Sequence, residues 1–394
     1  MEPQSEPNHQ SMEDDQQPGL QREVPKLYLS SDLPIHPDVL VTYNLPQYEQ
    51  RTPEWYEARE QCITASSMAA ALPQIPEVYE YYLECFPQAD FKAKPDKSCA
   101  FKDTELDLIM NKCGLGDGFK GNEFTAWGQK YEDVVSNIYA QMHQTDIISF
   151  GLLRHPKYPF VGASPDGIVA RPLADGTIPM LEIKCPPSRS CKDHPPIYYF
   201  IQTLIQMECV DQEAISVTDY FDANFVEYVD VMGWEADAEK WEAENAEARH
   251  HLFGIVLSYD SLDDDGEDVI KHLYAPPSVR TKEEFLLWAD TKEAENLDTQ
   301  FQRTHYKLHK HYISRVKRSH EWFMRNLPLI EKVWNKILHG RTPEGKEELR
   351  RIKEEKETAK DNRRQRKIAQ ETINDAATSD IAWEGDTGPA ECLL

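Results

Sequence analysis

From Thr125 to Met142 the apolar side chains Trp127, Tyr131, Val134, Val135, Ile138 and Met142 return every three or four positions, which predicts one long amphipathic helix. The period then changes. Short apolar runs broken by turn residues predict strands over about 146–154, 160–163, 166–171 and 179–185. Between the last two, Ala174-Asp175-Gly176-Thr177 is a turn signal that folds one run back on the other as a hairpin. Helical spacing resumes from Ile197 to Val210, with Gln202 and Gln206 one turn apart on a single face, and runs at 213–220 and 225–232 continue the sheet. A long helix, mixed strands, a second helix and more strands describe an α/β sandwich with a central mixed sheet flanked by helices.

Outside this block the patterning is less regular. Residues 1–47 are rich in Pro, Gln, Glu and Ser and are expected to be a disordered tail. Order begins near Arg51, where Trp55, Ala58 and Cys62 recur at helical spacing behind Pro53, a residue suited to a first turn. Ile63 to Ser67 reads as a loop whose serines cap a short helix. Residues 73–122 predict short helices and loops, and their glycine cluster (Gly114, Gly116, Gly118, Gly121) lacks the Gly-Lys-Ser/Thr ending of a phosphate loop. After Trp234 the expectation is helical: an acidic helix over 235–252, another over 281–296, and a long basic amphipathic stretch over 299–338. The predicted organisation is a tail at 1–47, a core at 48–232, a helical extension packing on it at 233–340, a charged helix at 341–374 and a disordered tail at 375–394.

With 394 residues the chain can bury a sizeable core. It has no run of about 18 apolar residues, so no membrane span is expected, and its first residues lack the basic and apolar regions of a signal peptide. Its eight cysteines form no Cys-x-x-Cys pair. They read as reduced thiols of an intracellular protein, in cytoplasm or nucleus, without an iron–sulfur cluster. The net charge of −26 counts against nucleic-acid binding until it is mapped: residues 301–370 hold 20 Lys and Arg against 9 Asp and Glu, leaving the remainder at −37. One basic wall can hold a polyanion while the rest of the surface repels it.

The densest chemistry lies in the hairpin. Asp166 stands at the head of its strand, and Glu182 and Lys184 share one face of the next because strand side chains alternate. The fold-back brings the two carboxylates together beside one ammonium. Such a set suits magnesium, which prefers hard oxygen ligands, and water activation against a phosphodiester. His155 and His194 have no partner at ligand spacing and are set aside.

Four separated blocks from Arg51 to about Val231 resemble the YqaJ-like viral recombinases and lambda exonuclease family of the PD-(D/E)XK nuclease superfamily. They are Trp55-x-x-x-Arg59 with Ile63-Thr64-Ala65-Ser66; Gly128-x-x-x-Glu132; Ser164-Pro165-Asp166-Gly167 with Glu182-Ile183-Lys184-Cys185-Pro186; and Tyr199-x-x-Gln202 with Met207. The resemblance implies a restriction-endonuclease-like sandwich with a helical C-terminal extension. It further implies that Asp166, Glu182, the Ile183 carbonyl and Glu132 hold magnesium, as two ions, with manganese as a substitute. Lys184 would orient or help deprotonate the attacking water, Gln202 would hydrogen-bond near it, and Arg59, Ser66 and Ser164 would hold a 5′-phosphate.

The expected function is therefore a metal-dependent 5′-to-3′ exonuclease that digests linear double-stranded DNA to 5′-mononucleotides in recombination, repair or viral genome processing. Its partners would be duplex ends and a single-strand annealing protein, with no membrane; whether copies of the chain assemble is left open, because nothing in the sequence identifies a subunit interface. An endonuclease on DNA or RNA and a non-catalytic nucleic-acid-binding module are the alternatives. The His305–Tyr312 pattern has two readings, a DNA channel lining through phosphate contacts and aromatic stacking or an amphipathic helix packed on the domain or a partner, and contact with DNA or RNA is favoured.

Overall fold

The computed structural model describes residues 33–90, 104–116, 121–245, 252–262, 266 and 268–381. Most of residues 1–47 and the last part of the C-terminal tail lie outside these. Its helices are α1 Pro37–Tyr43, α2 Pro53–Glu60, α3 Pro76–Cys85, α4 Glu105–Lys112, α5 Glu123–His143, α6 Ile197–Val210, α7 Val231–Glu244, α8 Lys282–Glu295, α9 His320–Gly340 and α10 Pro343–Ile381. The strands are β1 Ile63–Thr64, β2 Ile147–Ile148, β3 Leu153–Arg154, β4 Val161–Ala163, β5 Gly167–Val169, β6 Pro179–Lys184, β7 Val217–Tyr228, β8 Phe253–Leu262, β9 Asp268–Tyr274 and β10 Gln302–Lys317. A 3-10 helix, Ala65–Ala71, follows β1.

The central sheet runs in the order β2-β5-β6-β7-β10-β8-β9. It is mixed: β6 and β7 are parallel, with Glu182 opposite Tyr220 and Lys184 opposite Asp222, and the other pairs are antiparallel. The expected hairpin is present, with Gly167 opposite Leu181. Alternation along β7 divides the two faces. Phe221 and Phe225 face α5, where Tyr131 stacks on Phe225 at 4.2 Å between ring centres. Tyr220 lies on the other face, toward α6, with its ring 5.8 Å from that of Tyr199. Helices on both faces and a helical C-terminal region give the α/β sandwich expected from the chain.

Several expectations are corrected. The 233–340 segment is not a helical extension: β8, β9 and β10 come from it and complete the central sheet. The stretch over 299–338 splits into β10 and α9. Buried Tyr306 and Leu308, and farther along Ser314 and Val316, alternate with more exposed residues in β10, a period of two that interspersed His and Lys residues disguise. The runs at 213–220 and 225–232 form one strand, β7. The run at 146–154 forms two, in different sheets, because Gly151 lets the chain press against Tyr48, whose carbonyl oxygen would lie 1.9 Å from an added Cβ. Within the 1–47 segment the described residues 33–47 are structured. Its α1 buries Val39 and Tyr43, and the His36 amide donates to the Ala170 carbonyl at 2.8 Å.

A second apolar cluster, centred on Trp234, Phe253, Ile255, Leu257 and Phe285, joins α7 and α8 to β8. Helix α9 docks through Trp322 and Asn326, which donate to the carbonyls of Val78 and Glu77, each at 2.9 Å. Among the described residues no helix is long and apolar enough to cross a membrane.

Candidate active site

Residue by residue, the site grows from the end of β6. Glu182 points toward α6 and is wholly shielded from solvent. An ionised carboxylate survives there only if its oxygens are satisfied. Lys184 Nζ and Gln202 Nε2 donate to Oε1, the latter at 2.7 Å, and Gln206 Nε2 donates to Oε2 at 2.6 Å. Both glutamines come from one face of α6. Asp166, at the mouth of β5, accepts from the Ile183 amide at 2.6 Å, which ties the two strands of the hairpin together at the site. The Lys184 ammonium lies 5.0 Å from the centre of the Tyr199 ring.

Glu132 reaches in from α5 and stands 3.8 Å from the Arg51 guanidinium. Arg51 adopts a left-handed backbone, φ 70°, just before α2. Gly128, one turn earlier on α5, lines the same cleft, and nothing lies within 4 Å of where its Cβ would be.

These residues border a cleft of about 650 Å³ lined by Arg59, Ser66, Glu132, Ser164, Ile183, Lys184 and Gln202 among others. Asp166 and Glu182 are not themselves in the lining but bond to residues that are: Asp166 to the Ile183 amide, and Glu182 to Lys184 and Gln202. In the same cleft, Trp55 Nε1 donates to Ser164 Oγ at 3.0 Å, and the Arg59 guanidinium stacks 4.2 Å over the Trp55 ring. Stacking fixes the plane of the guanidinium while leaving its donors at the edge. No ion pair among the described residues takes Arg59; Glu60 pairs with Lys112 at 3.9 Å and acts on Arg59 only at longer range. Ser66 is exposed, its hydroxyl 3.2 Å from that of Thr64.

Electrostatics separate the roles open to these groups. Burial pushes the Asp166 carboxyl well up, and Glu182 and Glu132 push it further. Burial also raises Glu132, against the pull of Arg51. For Lys184 burial works downward, but Glu182 and Asp166 outweigh it and hold the ammonium charged well above neutral pH. A lysine so held is a donor and a counter-charge rather than a base.

Among the described residues no three Asp, Glu, His or Cys side chains close into a ready metal-ligand cluster. Glu182 is drawn to Lys184 and the glutamines, and Glu132 leans toward Arg51. The donor set nevertheless fits a hard divalent cation. Three carboxylates sharing a poorly solvated pocket with one lysine repel one another, and a cation among them relieves that repulsion. His155 and His194 serve packing instead: His155 stacks on Phe323 at 5.1 Å, and His194 Nδ1 is 2.9 Å from the Tyr82 hydroxyl.

Gln206, one turn beyond Gln202, is read from the sequence as a supporting or surface residue rather than a reacting one, and here it holds Glu182. Arg51 and Arg189 are not expected from the sequence as site residues. Arg51 carries no signal there, because it meets Glu132 only through tertiary folding. Arg189 lines the cleft from the loop after β6, gripped by Asp222 through bonds of 2.5 and 2.7 Å.

Residues 54–213 match the YqaJ-like viral recombinase domain, so the resemblance read from the sequence holds over that region. An uncharacterized protein of Acanthamoeba polyphaga mimivirus is 23% identical over 327 residues, covering 76% of this chain and 54% of the relative. The chain thus spans about half the length of that curated relative. Among solved structures, an alkaline exonuclease from Laribacter hongkongensis is similar at 14% identity, with a TM-score of 0.35, over 78% of this chain and 100% of that one. The shutoff and exonuclease protein from Kaposi's sarcoma associated herpesvirus is similar at 11% identity, with a TM-score of 0.26, over 77% of this chain and 73% of that one.

Proposed function

We propose that this chain is a nuclease acting on DNA, and specifically a metal-dependent 5′-to-3′ exonuclease on linear duplex ends. One observation carries the reading: Glu132 and Lys184 line one cleft together with Arg59, Ser66 and Ser164, and Glu182 and Asp166 lie directly behind it, bonded to Lys184 and to the Ile183 amide. The carboxylates and Lys184 suit phosphodiester hydrolysis. Arg59 with the two serines suits a terminal phosphate, which carries more charge than a diester and takes a guanidinium fork.

Asp166, Glu182, the Ile183 carbonyl and Glu132 are the residues that would hold magnesium or manganese. When bound, such an ion stabilises charge on the phosphoryl group and lowers the pKa of water. The chain's own groups do the positioning. Lys184 offers its charged ammonium to the scissile phosphate and orients water by donating to it. Gln202 and Gln206 keep Glu182 aimed. Arg59 and Ser66 seat the 5′ end so that the first internal linkage reaches Lys184, and departure of the 3′ oxygen leaves a 5′-mononucleotide. Recombination or viral genome processing, with an annealing protein receiving the exposed strand, is the setting this activity suits.

The test is digestion of 5′-phosphorylated linear duplex, 5′-hydroxyl linear duplex and closed circular DNA with magnesium, by wild type and Lys184→Ala. Loss of the linear substrates only, faster with the 5′-phosphate and abolished in the variant, is the expected result. Cutting of the circle would make the protein an endonuclease. No cleavage of any substrate with magnesium or manganese would leave nucleic-acid binding alone.

A further inference from the structure

Strand β10 carries one basic and aromatic pair that the cleft does not account for. Its other cations are largely committed: Arg303 holds Asp290 and Glu293, Lys307 holds Asp237, and Arg315 holds Asp219 and Asp175. Lys310 is exposed and takes part in no ion pair among the described residues, and its ammonium stands 5.0 Å over the ring of half-buried Tyr312.

Register places this pair beside the cleft. Lys310 lies opposite Asn224 and Tyr312 opposite Asp222 across the antiparallel β7–β10 ladder, so each shares a sheet face with its partner. That face is the one on which Glu182 and Lys184 sit, opposite Tyr220 and Asp222. Asn224 and Asp222 also hold the cleft wall. Asn224 Nδ2 donates to the carbonyls of Pro186 at 2.9 Å and Arg189 at 2.8 Å, and Asp222 grips the Arg189 guanidinium. Cys191 closes the join: its amide donates to Asn224 Oδ1 at 2.9 Å and its thiol to the Lys310 carbonyl at 3.7 Å. The loop that walls the cleft therefore abuts Lys310, one strand spacing away, roughly 5 Å.

We propose that Lys310 and Tyr312 form an accessory contact for single-stranded nucleic acid that leaves the cleft across the Pro186–Cys191 loop. An ammonium without a carboxylate partner takes a phosphodiester, and an adjoining ring offers a face to an unstacked base. In duplex DNA the bases are stacked and present no such face. The inference rests on the proposed nuclease reading for the strand's origin, while the contact itself is measured by binding alone.

The experiment uses the full chain with chelator, so that nothing is cut, and follows anisotropy of labelled thymidine oligonucleotides, one short enough to fill only the cleft and one longer. Tyr312→Ala is expected to lower the long-to-short affinity ratio roughly fivefold or more. Lys310→Ala is expected to lower it too and to flatten the salt dependence of long-strand binding by about 0.7 in logarithmic slope. Blunt duplex should bind wild type and both variants alike. Equal ratios in all three proteins would overturn the proposal, as would equal losses on short and long strands or a loss confined to duplex. A separate magnesium digestion with wild type distinguishes the two failures. Cleavage together with unchanged ratios removes only the accessory contact, whereas absent cleavage together with the predicted change removes the nuclease reading and keeps the contact.

Discussion

Gln206 Nε2 donates to Glu182 Oε2 at 2.6 Å, and both side chains are wholly shielded from solvent. The bond joins α6 to β6 directly beneath the cleft. With Gln202 on the other oxygen, it fixes the carboxylate plane. The Gln206 Oε1 atom has no hydrogen-bond partner among the described residues, so this amide is held for what its nitrogen does.

Gln206→Leu keeps most of the volume and removes the donor. We expect a loss of about 1–3 kcal/mol in stability, the usual cost of leaving a buried polar group unpaired, and a larger fall in cleavage than the stability loss explains. Urea unfolding and single-turnover digestion measure the two. Cleavage at the wild-type rate would show that Glu182 does not need this support.

Gly128 tests the cleft's shape. It is a helical residue with open space where a Cβ would lie, so Gly128→Ala should stabilise the protein by about 0.5–1 kcal/mol through helix propensity. Gly128→Phe should fill the cleft and suppress cleavage while the protein remains folded. A fully active Gly128→Phe would mean that substrate does not pass α5 at this point.

Asn224→Ala removes three bonds to the loop after β6. The expected result is faster hydrogen exchange at the Cys191 amide, with KM for duplex ends rising more than kcat falls, because Arg189 loses its placement while Lys184 keeps its own. Unchanged exchange at Cys191 would show that Asp222 alone holds the loop.

The pH dependence of stability should carry a signature of His155. Burial holds its pKa below the ordinary 6.5, and its Nδ1 accepts from the Lys157 and Tyr158 amides at 3.1 and 3.3 Å. A histidine with a depressed folded pKa contributes stability that is present above pH 6.5 and lost as pH falls through the folded value. His155→Asn retains an acceptor and cannot titrate, so its stability should fall less between neutral and mildly acidic pH. The slope will not vanish, since burial also lowers His143, His272 and His305. Chemical denaturation across that range reads the difference, and parallel curves would count against it.

Local physics made part of this protein legible from its residues. The 3.6-residue period exposed α5 and α6, the two-residue period with Asp175-Gly176 exposed the β5–β6 hairpin, and strand alternation put Glu182 and Lys184 on one face. Those readings needed only neighbours in sequence. Tertiary structure decided the rest. The central sheet is completed by β10, whose pairing with β7 joins residues such as Asn224 and Lys310 that no periodicity links. The setting of the site was likewise decided at a distance: Arg51 meets Glu132, Trp55 braces Ser164, and Asp222 grips Arg189. The physical reason is that side-chain type and spacing specify a local face, while burial, charge coupling and register depend on which distant face packs against it.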